Sequence, residues 1–123
     1  MVRQVPALPA RLPARAAFVT VGVVALTLAF APHAPRFLPW DKAEHFLGGA
    51  VIALLALPAM PGLALGWLIS GLAVSAALVE VIQATPQVGR SGDPADWLAG
   101  VLGAVLAIAL CRLTLRLQPR LRR

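Results

Sequence analysis

Cysteine occurs once, tyrosine not at all, and only five of the 123 residues are acidic. The lone Cys111 rules out an internal disulfide and any multi-cysteine metal site, and near the end of an apolar stretch it reads as inert packing. Charged residues make up 13% of the chain, about half of the ~25% usual in soluble domains. That leaves too little polar surface to cover a water-soluble fold of this size, so lipid must cover much of the outside. No aromatic residue is interleaved with the arginines at either end and no nucleic-acid module is recognisable, so the net charge of +6 does not indicate a nucleic-acid partner.

What the chain has in quantity is apolar sequence, 59% by composition. Four segments stand out, Ala16 to Ala31, Ala43 to Ala59, Gly62 to Ala84 and Ala95 to Leu110. Each approaches the roughly 20 residues needed to span hydrocarbon, and Arg15 and Arg112 can lengthen the first and last by snorkelling. Pro32 and Pro35, then Pro58, Pro61 and Gly62, then Pro86, Gly89 and Gly92 punctuate the gaps. The expected fold is all-α, an integral membrane four-helix bundle over 16–111, with a basic tail at 1–15 and another at 112–123.

Charge gives the expected bundle a direction. Eight arginines and no acid lie in the two tails, whereas the opposite loops and helix ends hold Arg36, Lys42, Arg90 and all five acids. The formal +6 therefore divides into +8 on one side and −2 on the other, which predicts a multi-pass protein with both termini cytoplasmic. A cleavable signal over Arg3 to Ala31 is the weaker reading, because the segment is long for a signal core and its loss would leave an odd number of crossings. Small residues at close-packing spacing, Gly62 and Gly66, Gly71 and Ser75, Gly100 and Ala104, with Gly48, Gly49 and Gly103 nearby, predict tight helix contacts. Trp40 and Trp97 are placed at the outer boundary and Trp67 toward the cytoplasmic one.

The polar residues fall into three blocks at one end of these segments. The second helix opens with Asp41, a candidate cap, and brings Glu44 and His45 back to the same face one turn on. Near the end of the third helix, Glu80 and Gln83 share a face. The loop after it supplies Arg90, then Asp93 as N-cap, Pro94 at N1 and Asp96 at N3 of the fourth helix. His33, in a proline-rich loop, has no partner spacing.

Three chemistries fit this set. His45 with Asp41, Glu80 or Asp96 makes an oriented acid/base group, while Lys42, Arg90, Gln83 and Asp93 are candidates for holding an anionic substrate at two helix N-termini. His45 with two carboxylates could instead hold a divalent cation, without any contiguous ligand motif. The third is a proton or ion relay, which intramembrane Glu and His often mark. Metal and cofactor content stay open, and so does whether the protein is an enzyme. A scaffold whose polar layer only locks the helices and a small proton-coupled carrier are the alternatives.

The blocks Asp41-Lys42-x-x-His45-Phe46, Glu80-x-x-Gln83 and Arg90-x-x-Asp93-x-x-Asp96, followed by Gly100 and Gly103, resemble those of the VanZ-like family of small bacterial membrane proteins. The resemblance covers Trp40 to Gly103, and position 99 is Ala where the family commonly has Asn. It implies a location in the bacterial plasma membrane. The family is associated with reduced susceptibility to a lipoglycopeptide antibiotic that binds cell-wall precursors, without an established biochemical activity. The expected partners are the lipid bilayer, an anionic lipid or lipid-linked envelope precursor, and a second copy of the chain.

Overall fold

The computed structural model describes residues 8–121, with side chains from residue 11 to residue 118. Arg3, Arg122 and Arg123 lie outside the described residues, as does the side chain of Arg120. Four helices form, α1 (Leu8–Phe30), α2 (Asp41–Ala59), α3 (Leu65–Gln83) and α4 (Pro94–Leu121), and the described residues contain no strand. Each helix is long and apolar enough to cross a membrane.

Proline sets most of the boundaries. α1 stops at Phe30, just ahead of Ala31-Pro32, because the residue before a proline is driven out of the helical region. α2 carries Pro58 in its last turn and ends before Pro61. α4 begins on Pro94, where the missing N–H is no loss. The first and last helices are longer than hydropathy predicts. α1 starts inside the expected basic tail and runs through Arg11, Pro13 and Arg15, and α4 continues past Arg112 and Arg116. Arginine is a good helix former, so loss of apolar character did not end either helix.

The helices alternate in direction, so the end of α1, the start of α2, the end of α3 and the start of α4 meet at one end. α2 and α4 form the closest pair, with α1 packed on α2 and α3 on α4. Glycine makes that central approach: a Cβ on Gly49 would strike the backbone of Gly100, and one on Gly103 the carbonyl of Phe46. Gly100 and Ala104 share in this packing, whereas the expected contacts at the start of α3 and in the loop before it are not used. Gly62, Gly66 and Gly71 face open space, which corrects that part of the sequence reading.

The buried apolar core is small, centred on Ala53, Ala56, Leu68, Ala104 and Ile108. Larger side chains point outward instead. Val74, Leu78 and Val81 on α3 and Leu102, Leu106 and Leu110 on α4 are all exposed, at the three- and four-residue spacing of a single helix face. An apolar stripe of that kind on the outside of every helix suits a hydrocarbon solvent.

Candidate functional site

At the polar end, five residues from two helices, an N-cap and the first turn of a third close into a ring. Lys42 Nζ donates to Asp93 Oδ2 at 2.8 Å and to Asp96 Oδ1 at 3.0 Å. The Asp93 amide donates to Glu80 Oε2 at 2.9 Å. His45 completes the circle between two carboxylates, with Nδ1 at 3.8 Å from Glu80 Oε1 and Nε2 at 3.8 Å from Asp96 Oδ2. Those last two separations exceed hydrogen-bond length, a slack that acid/base sites often show before a substrate draws them together. Glu80 and Asp96 are buried, at 9% and 4% exposed.

Local structure explains each position. Asp93 precedes α4 and its Oδ1 accepts the Ala95 amide at 2.9 Å, so the N-cap expected from sequence forms. Its carboxyl is held below the usual range, first by the Lys42 ammonium and then by the Ala95 amide. Asp41 does not cap α2. The cap position is Trp40, without a side-chain bond, and Asp41 is the first helical residue, which turns it toward His45 one turn on. Oxygens of Asp41 and Asp96 and a nitrogen of His45 lie within 4.8 Å of one another, so these three residues could hold a metal ion.

The remaining polar residues fasten neighbouring elements. Glu44 Oε1 accepts the amides of Phe37 and Leu38, the latter at 2.7 Å, and so anchors the α1–α2 loop. Gln83, 3% exposed, donates to the Ala29 carbonyl at 2.8 Å. Arg90 Nη1 donates to the carbonyls of Leu28 and Ala29, each at 3.2 Å. Both side chains thus satisfy the Ala29 carbonyl, one of those without an intrahelical partner at the end of α1, and Arg90 adds to the Ala31 amide already bound at the Leu28 carbonyl. Lys42, expected to meet an anionic ligand, is paired within the protein, and Arg90 is bound in part to α1. Trp97, expected at the headgroup level, turns inward and donates from its indole to the Ala73 carbonyl at 2.9 Å. Trp40 is exposed as expected.

All four helices border a cleft of about 930 Å³ that begins at the ring. Asp41, His45, Glu80, Gln83, Arg90 and Asp96 line its polar part, and Phe18, Ile52, Leu72, Val79 and Val101 contribute to its apolar part. That volume falls in the range of small-molecule sites, which combine apolar walls with a few convergent polar groups. The contribution of α1 was missed from sequence, since it offers the site only backbone carbonyls and apolar walls. No family model, curated protein or solved structure matches the chain.

Proposed function

We propose that this is a VanZ-like multi-pass protein of the bacterial plasma membrane, with cytoplasmic termini, that recognises or modifies a lipid or lipid-linked cell-envelope molecule. The observation that carries the reading is the continuity of the cleft, which joins a mixed-charge ring to an apolar interior between membrane-length helices. A ligand with an anionic head and a hydrocarbon chain matches both parts. In this reading His45 exchanges a proton with the ligand, Glu80 and Asp96 fix its orientation from opposite ring nitrogens, Asp41 adds a third carboxylate, and Arg90 supplies positive charge at the cleft.

The test is a profile of lipids and cell-wall precursors in cells lacking the protein, complemented with wild type or with Glu80→Gln. A lipid-linked species should accumulate without the protein and be cleared by wild type alone. Identical profiles in all strains contradict the proposal.

A second reading, a non-enzymatic scaffold, is favoured by one observation: Lys42, Glu80, Gln83 and Arg90 all have partners within the protein. Under that reading, folding and activity fall together across substitutions in the ring.

A further inference from the structure

The end of the molecule opposite the ring is strongly basic. Arg15 Nε donates there to the Ala59 carbonyl at the end of α2, at 3.1 Å. Arg112 lies about 27 Å along α4 from Pro94 at 1.5 Å per residue, close to the ~30 Å thickness of bilayer hydrocarbon. Arg116 follows one turn later on the same face. Among the described residues neither arginine has an ion pair or hydrogen bond, and all five acids are at the far end of the chain's helices.

Both arginines line a groove of about 390 Å³ between the start of α3 and the last turns of α4, with Leu65, Ile69, Ile108 and Ala109 among its walls. Trp67, at the same end of α3, is 74% exposed, as an indole at headgroup depth would be.

We propose that this groove, which adjoins the cleft at Ile69, is a second site that holds one anionic phospholipid, its phosphate between Arg112 and Arg116 and an acyl chain along the apolar walls. Charge complementarity selects the occupant. Two unpaired guanidiniums at the depth of lipid phosphates favour a net-negative headgroup over a zwitterionic one.

The experiment is native mass spectrometry of the purified full-length protein carrying Gly48→Leu, which adds a side chain in the cleft but not in the groove, titrated with phosphatidylglycerol or phosphatidylcholine of matched chains. Two basic residues at a lipid surface are together worth roughly thirtyfold in affinity, so phosphatidylglycerol should bind about that much more tightly, and R112Q/R116Q should lose the preference. Ala109 is an exposed wall residue, so Ala109→Trp should obstruct the groove and weaken both lipids while leaving the arginines in place. Equal affinity for the two lipids, or a preference that survives R112Q/R116Q, overturns the proposal. Displacement of the lipid by inorganic phosphate alone also overturns it, because a bare anion site would then suffice. If R112Q/R116Q does not fold, Ala109→Trp decides: undiminished phosphatidylglycerol binding rejects the site.

Discussion

His45 Nδ1 faces Glu80 Oε1 across 3.8 Å, where α2 and α3 bring the ring to the cleft. An oriented imidazole of this kind contributes typically ~100-fold to ~10,000-fold to a proton-transfer step. Glu80→Gln keeps an oxygen able to accept the Asp93 amide but removes the charge beside His45. It should leave the folded protein at wild-type levels while lowering clearance of the accumulated envelope species by about 100-fold or more, read from precursor levels after complementation.

The α2–α4 crossing gives a paired stability test. Gly49→Ala or Gly103→Ala drives a methyl into facing backbone, and overpacking costs about 1–3 kcal/mol. Gly48 has nothing within 4 Å of a Cβ, so Gly48→Ala should be neutral or up to about 1 kcal/mol stabilising through helix propensity. Thermal unfolding in detergent reads the difference.

Gln83 and Arg90 hold the end of α1. Gln83→Ala removes the shorter of the two bonds to the half-buried Ala29 carbonyl and leaves Arg90 as its remaining side-chain donor, a loss of about 0.5–1.5 kcal/mol. Hydrogen exchange should rise in the last turn of α1 in this variant, and rise further when Arg90→Ala is added.

How far these contacts could be foreseen depends on what makes them. Hydropathy and proline placed the four helices, and side-chain spacing brought His45, Glu80 and Asp96 to one layer, because residue type carries that information directly. The partners of Gln83 and Arg90 are main-chain oxygens of α1, which no residue type advertises. The ends of α1 and α4 were misplaced because arginine lowers hydropathy without opposing the helix. Asp41 was misassigned by one position, which at a helix start separates a cap from a residue that faces the site.

Acid should reveal the Asp93–Lys42 pair. The Asp93 carboxyl titrates below its ordinary value in the folded protein, so its contribution is present above the unfolded value of about 3.9 and is lost as pH falls through the lower folded value. Asn caps a helix as well as Asp. Asp93→Asn should therefore preserve the cap while giving a smaller drop in melting temperature than wild type between neutral pH and pH about 3.

The most direct test of the central claim is mass spectrometry of the lipids that co-purify with R112Q/R116Q protein, whose basic groove is neutralised, and with the same protein carrying Gly48→Leu, which adds a side chain at a glycine lining the cleft with nothing within 4 Å of its Cβ. The R112Q/R116Q protein should retain an anionic lipid or lipid-linked species enriched over the bulk membrane, and adding Gly48→Leu should lower its retention at least about tenfold, a difference of ~1.4 kcal/mol in binding. Retention of the same species by both proteins, or no enrichment in either, would contradict the account.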